Sequence, residues 1–195
     1  MTALRRRSFV AAAVVAMLFG SVRAGADGND MDPLLEATLQ LKVQSYDHKI
    51  ANRLAKGFVV CIIYRAGSSP SESAAQEMRE AFARAAERYK IKGVTVAVDV
   101  VGVDPARPGE ALRGHNASMI YVVPGLDGAI PEIAAAANRL KVPTSTHVRD
   151  YISAGLGIAV TVDRHKPKIV VNLKAVTAAG MELDADMLGL AEVVR

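Results

Sequence analysis

Between Pro33 and Ala55 apolar side chains recur in steps of three and four. Leu35, Leu39, Val43, Tyr46, Ile50 and Leu54 share one helical face, which predicts a first long helix over Pro33 to Ala55. Phe58 to Tyr64 is then continuously apolar and β-branched between Gly57 and Gly67, the pattern of a strand buried on both faces. Ser69-Pro70-Ser71-Glu72 has the form of a capping box, with Ser69 as N-cap and Glu72 reaching back, ahead of a helix carrying Ala75, Met78, Phe82, Ala85 and Tyr89. Val94 to Val103 and Met119 to Val123 are further strand runs, broken by Asp104-Pro105 and Pro124-Gly125. A helix with Ile133, Ala137 and Leu140 leads to a short strand at Val142 to Thr146.

Strands and helices that alternate at these lengths imply βαβ crossovers. The expected fold is therefore a single-domain α/β body with a mainly parallel sheet flanked by helices. After Gly157 the pattern changes. Ile158 to Val162 and Ile169 to Val171 surround a polar tip, Asp163 to Pro167, and predict a C-terminal β-hairpin on one edge of the sheet. Leu173 to Ala179 is expected as a short helix stopped by Gly180, and Asp184 as the cap of a final amphipathic helix presenting Met187, Leu188, Ala191 and Val194.

The first residues change the charge picture. Arg5-Arg6-Arg7, an apolar run from Phe9 to Phe19 and the small residues up to Ala26 read as an export signal over residues 1–26, leaving residues 27–195 as the domain. Spanning a bilayer takes about 20 apolar residues, so this run is too short for an anchor. Arg6-Arg7-Ser8-Phe9-Val10 also resembles a twin-arginine signal, although Arg5 stands where a Ser or Thr is usual. The full chain carries a net charge of +4, but removing Arg5, Arg6, Arg7 and Arg23 lowers Lys plus Arg from 24 to 20, equal to the 20 Asp plus Glu. A nucleic-acid or anionic-membrane partner, which a basic chain would suggest, is thereby dropped. The expected product is a soluble periplasmic protein with no membrane insertion after cleavage. Its lone cysteine, Cys61, cannot form an internal bridge and sits in an apolar run as a small buried hydrophobe.

Chemistry is sparse. His48, His115, His147 and His165 have no metal-ligand spacing, and no phosphate loop or nucleophile elbow occurs. No catalytic residue, cofactor or metal is expected. In an open parallel sheet a ligand sits beyond the carboxyl ends of the strands, which here lead into Ser68, Ser69 and Ser71 and into Thr144, Ser145 and Thr146. Their hydroxyls, with free amides at a helix start, could hold a small polar ligand. Capping and turn formation account for the same residues more simply.

Laid out in this way, Val142 to Val194 resembles the YfiR-like family of exported bacterial proteins. The pieces are a short strand at Val142, a turn from Ala154 through Gly155 to Gly157, the hairpin from Ile158 to Val171, Val171-Asn172-Leu173, an Ala179-Gly180 stop and the leucine-rich Leu188 to Val194. Upstream, "LKVQSYDHKIANRL" and "FVVCIIYR" look like the family's opening. The chain departs from the pattern where Leu156 splits the turn glycines, where Val170 replaces an aromatic, and in lacking paired cysteines, so redox behaviour is not carried over.

The resemblance implies a periplasmic regulator that binds the sensor domain of an inner-membrane diguanylate cyclase and holds it inactive, limiting cyclic-di-GMP and biofilm formation. It gives Gly155, Gly157, Asn172 and Gly180 structural roles, with Asn172 locking the hairpin to the last helix. Docking is expected on the edge hairpin and the last helix, through Met187, Leu190 and Val194. An edge strand also offers a second copy a surface for pairing as a homodimer. The alternative is a small-ligand carrier, since Phe58 to Val162 also looks like one lobe of an ABC-transporter substrate-binding protein, whose second lobe this chain is too short to supply.

Overall fold

A computed structural model describes residues 31–195, so the export signal expected over residues 1–26 lies outside the described residues. Seven strands form one sheet: β1 (Phe58–Arg65), β2 (Val96–Val103), β3 (Met119–Val122), β4 (Thr144–Thr146), β5 (Ile158–Asp163), β6 (Lys166–Asn172) and β7 (Glu192–Val194). Their order is β2-β1-β3-β4-β5-β6-β7. The first five are mutually parallel, β6 returns antiparallel to β5, and β7 lies parallel to β6. The helices are α1 (Pro33–Ser45), α2 (Ala51–Leu54), α3 (Ser69–Arg88), α4 (Pro108–Ala111), α5 (Ile130–Leu140), α6 (Arg149–Ser153), α7 (Leu173–Ala178) and α8 (Ala185–Leu190). The fold is the α/β architecture predicted from the alternating pattern.

Alternation along each strand feeds two apolar layers. Phe58, Val60, Ile62 and Met119 meet Ala37 and Leu41 of α1 and Met78 and Phe82 of α3. On the opposite face, Cys61, Ile63, Ile120 and Val122 meet Ile130, Ile133 and Ala137 of α5 and Tyr151 and Ile152 of α6. Burying each of the larger side chains contributes about 1.5–3 kcal/mol, and the apolar strands β1 and β3 are accordingly covered by helices on both faces. Cys61 lies in this core and opposite Asp99 in the β1–β2 register. Burial, and then the Asp99 charge, push its thiol up to about 12. We expect the native protein to resist thiol-alkylating reagents at pH 8 and to label once when unfolded. Rapid labelling of the folded form would contradict this placement.

The first helix differs from the prediction. It stops at Ser45, and after a turn only Ala51–Leu54 resumes helical form. The chain is diverted because the backbone at Tyr46 to His48 bonds to the C-terminal segment: His48 N–H donates to Glu182 O at 2.8 Å and Asp184 N–H to Tyr46 O at 3.0 Å. The marked face also turns partly outward, with Leu35 and Tyr46 each more than 40% exposed. The buried side instead carries Glu36, Gln40 and Gln44 beside Ala37, Leu41 and Val43.

Two further boundaries are corrected. Helix α3 starts at Ser69, so Ser68 holds the N-cap position, and its side chain makes no capping bond. The last helix ends at Leu190, and Glu192–Val194 becomes β7 alongside β6. Glu192 anchors this strand by pairing with Arg149 and, at 2.8 Å, with Lys168. The hairpin therefore lies one strand in from the edge. Its tip is tighter than predicted, since Asp163 pairs with Lys166 and both intervening residues, Arg164 and His165, adopt positive φ, as a two-residue primed turn demands.

Candidate functional site

In this strand order the chain reverses direction of growth between β1 and β3, and the crevice beyond their carboxyl ends is where open α/β sheets take ligands. Here a serine spans it. Ser71 Oγ accepts from Arg65 N–H at 3.1 Å and donates to Pro124 O at 2.7 Å, tying the end of β1 to the end of β3. Ser68, the N-cap of α3, is half-buried, and Ser69, its first residue, is exposed. The second group of predicted hydroxyls lies in β4, all buried and all bonded. Thr144 Oγ1 accepts from Gly157 N–H at 2.8 Å, Ser145 Oγ bonds Gln40 Oε1, and Thr146 Oγ1 donates to Val122 O at 2.9 Å while accepting from Val148 N–H at 3.1 Å.

Beside β4, three residues far apart in sequence converge under α1. Tyr121 Oη donates to Glu36 Oε1 and lies 2.8 Å from His147 Nδ1, which is 3.5 Å from the same Glu36 oxygen. A phenol that gives its proton to Glu36 presents its oxygen as an acceptor, a role matched by an Nδ1–H on His147. Burial, and then the Glu36 charge, push the Tyr121 phenol well above its ordinary range. It is a fixed donor rather than a base. Glu36 is 3% exposed and His147 15%, so the imidazole is the edge of this trio that meets water. One turn along α1, Gln40 Nε2 donates to Thr146 O at 2.9 Å; another turn on, Gln44 Oε1 accepts from Arg53 Nη1 at 3.0 Å.

The polar ladder ends on a buried ion pair. Asp47 Oδ2 lies 2.5 Å from Arg53 Nη2, with the Asp47 side chain fully buried and that of Arg53 11% exposed. Asp47 Oδ1 also accepts from Lys49 N–H at 3.0 Å and from Glu182 N–H at 2.7 Å, while Arg53 Nη1 donates to Ser118 O at 2.9 Å. Burial pulls the Arg53 guanidinium down, opposed by the hydrogen bond and charge of Asp47. This junction joins α1, α2, the start of β3 and the C-terminal segment.

The predicted docking residues are separated. Leu190 is 76% exposed, Met187 is buried beneath α8 and Val194 is half-buried in β7. Asn172 accepts from Ala175 N–H at 3.1 Å as the cap of α7 and donates to Ile152 O at 3.2 Å, so it ties the hairpin to α6 and α7 rather than to the last helix. Gly155 has φ of +118°, where any side chain is strained, and a Cβ on Gly157 would meet Thr144 O and Val176 Cγ1 at 3.1 Å, a tight approach that glycine avoids. Gly180 follows α7 with φ of +85°.

Glu36, Gln40, Gln44, Tyr121, His147 and the Asp47–Arg53 pair were not singled out from the sequence. The available signal was the four-residue spacing of Glu36, Gln40 and Gln44, a polar stripe parallel to the apolar one. Among the described residues no group of three or more His, Cys, Asp and Glu is arranged to hold a metal ion, and no helix is long and apolar enough to cross a membrane.

The YfiR/HmsC-like family model matches residues 47–192, a span bounded by Asp47 of the buried ion pair and Glu192 of β7. No curated protein sequence matches the chain. Among solved structures, a conserved domain protein from Vibrio cholerae O1 biovar El Tor is similar at 14% identity and a TM-score of 0.59, over 82% of this chain and 60% of that one. An ABC domain in complex with L-Trp from Streptococcus pneumoniae is similar at 15% identity and 0.58, with the same coverage of 82% and 60%. The ligand-free, open form of a substrate-binding protein with adhesive properties from Clostridium difficile follows at 13% and 0.55, over 75% of this chain and 57% of that one. The chain thus spans 60% or less of the length of these structures, and at such identities the likeness shows the fold alone.

Proposed function

The chain belongs to the YfiR/HmsC-like family, and from that membership we propose that it is an exported, periplasmic regulator of cyclic-di-GMP signalling. It acts by contact, binding the sensor domain of an inner-membrane diguanylate cyclase and holding the enzyme inactive, and it turns over no substrate itself. The observation that carries this reading is the family match across residues 47–192, which takes in the sheet from β1 to β6 and every helix from α2 to α8. Deleting the gene should raise cellular cyclic-di-GMP and biofilm mass. An unchanged level across several growth conditions would defeat the repressor reading.

The surface assigned to docking is the one around Leu190, the most exposed large apolar side chain among the described residues. Leu190→Asp should leave stability within about 0.5 kcal/mol of the parent, as for other surface changes. It should weaken binding to a purified cyclase sensor domain several-fold, as titration calorimetry would show. Undiminished binding by the folded variant would move the docking surface elsewhere. The carrier alternative draws on the fold shared with substrate-binding proteins, but the crevice such a ligand would occupy is bridged by Ser71 and Pro124.

A further inference from the structure

A second concavity lies at the opposite, amino-terminal end of the strands, independent of the docking reading. It is a cleft of about 490 Å³ whose polar lining comes chiefly from Lys49, Asn52, Arg53, Lys56, Asn116 and Lys141, with no Asp or Glu among the lining residues. Residues 27–195 carry equal numbers of acidic and basic side chains. Of the four cations around this hollow, Arg53 and Lys49 are matched by Asp47 and Glu182, which leaves Lys56 and Lys141 as a local excess of positive charge in a neutral whole.

The cations are not equivalent. Arg53 is committed to Asp47, Gln44 and Ser118, and Lys49 pairs with Glu182 at 3.0 Å. Lys141 Nζ donates to Ala178 O at 3.0 Å at the end of α7, which fixes the ammonium at the rim and leaves two of its three donors. Lys56 and Lys141 take part in no ion pair among the described residues. Asn52 and Asn116 are exposed and add amide donors. Because helix carboxyl ends carry partial negative charge, one lysine at the end of α7 balances that end. Lys56, just beyond the end of the four-residue α2, makes no ion pair among the described residues and is exposed.

From this arrangement we infer that the amino-end cleft binds a small, multiply charged oxyanion of the phosphate class. The guanidinium that would form a planar fork with a carboxylate is already occupied, whereas the Lys56 ammonium, the two remaining donors of Lys141 and the amides act as point donors suited to the many acceptors of a tetrahedral phosphate. The volume falls in the range of small-molecule sites, about 300–1,000 Å³, and accommodates a phosphate ester as well as the bare anion.

Inorganic pyrophosphate is the probe, titrated calorimetrically into the purified protein at low ionic strength. Saturable binding at one site is expected, weakening as salt rises. Lys56→Glu should reduce affinity about tenfold or more, from reversal of one close charge. The double variant Lys56→Gln, Lys141→Gln should abolish measurable binding, while Lys166→Glu, at the far hairpin tip, should leave it unchanged. Circular dichroism and thermal midpoint establish that each variant is folded. Vesicles of phosphatidylglycerol in phosphatidylcholine separate the sources: cosedimentation lost in the double variant, without binding of free pyrophosphate, assigns the anion to a lipid headgroup. Absence of both kinds of binding, or equal binding by the folded double variant, overturns the inference.

Discussion

Replacing Arg53 by alanine is expected to lower the unfolding free energy by about 3–5 kcal/mol, the usual cost of leaving a buried charge without its partner. Asp47 has no solvent to turn to, because its side chain is fully buried and its other oxygen already accepts from Lys49 and Glu182. For a domain of this size the thermal midpoint should fall by roughly 10 °C. Asp47→Ala should cost as much, since it strands the guanidinium and two backbone amides at once. The informative control is Asp47→Asn with Arg53→Met, which removes both charges and should recover most of the loss. Urea denaturation of the parent, Asp47→Asn, Arg53→Met and the double variant closes the cycle. A single Arg53→Ala variant within about 1 kcal/mol of the parent would show that the pair holds nothing together.

Tyr121 is the second position of large effect. Its ring is fully buried and meets Phe82 edge-on at 5.2 Å, so Tyr121→Ala should cost about 3–5 kcal/mol in lost burial and cavity formation. Tyr121→Phe keeps the packing and removes only the hydroxyl between Glu36 and His147, for which about 1–3 kcal/mol is expected. The pH profile distinguishes the two contributions. Burial and Glu36 raise the folded-state value above the ordinary 10.0, so below about pH 10 both states keep the proton and stability does not depend on it. Above that pH the unfolded chain releases a proton that the folded one retains, and stability falls as pH rises. Cys61 adds a loss of the same sign, beginning above 9.0 and ending near 12. Tyr121→Phe should retain the Cys61 part and lose the tyrosine part, giving a shallower alkaline decline. An unchanged alkaline slope would mean that Tyr121 ionises alike in both states.

The layout of β1, β3 and the hairpin was legible because each is a compact apolar run bounded by Gly, Pro or a polar tip, and tertiary packing had nothing to overrule. The face of α1 was not. Its leucines follow helical spacing, yet Tyr121, Ser145 and Thr146 of the sheet bond to Glu36 and Gln40 instead, and partners so distant in sequence are invisible from a local window. The end of the chain misled for a related reason. Met187, Leu188, Ala191 and Val194 fit one helical face, but Val193 and Val194 are also β-branched, and a free strand edge beside β6 outweighs helix propensity. Of the hydroxyls marked from the sequence, Ser68, Ser69 and Ser71 follow the end of β1, whereas Thr144, Ser145 and Thr146 form β4 itself. That Ser71 and Thr146 would spend their bonds on joining strand ends could not be anticipated.

The inward polar side of α1 has a consequence for how many arrangements the folded chain can adopt. A purely greasy interface tolerates a helix displaced by one turn, about 5.4 Å, with little change in energy. Here the same slip would bring the neutral amide of Gln40 to Tyr121 and His147 and carry the Glu36 carboxylate off its partners, at about 1–3 kcal/mol for each buried group left unmatched. The helix is thus held to a single seat by a penalty on misplacement rather than by tighter adhesion, and homogeneity of the native state is what that chemistry secures.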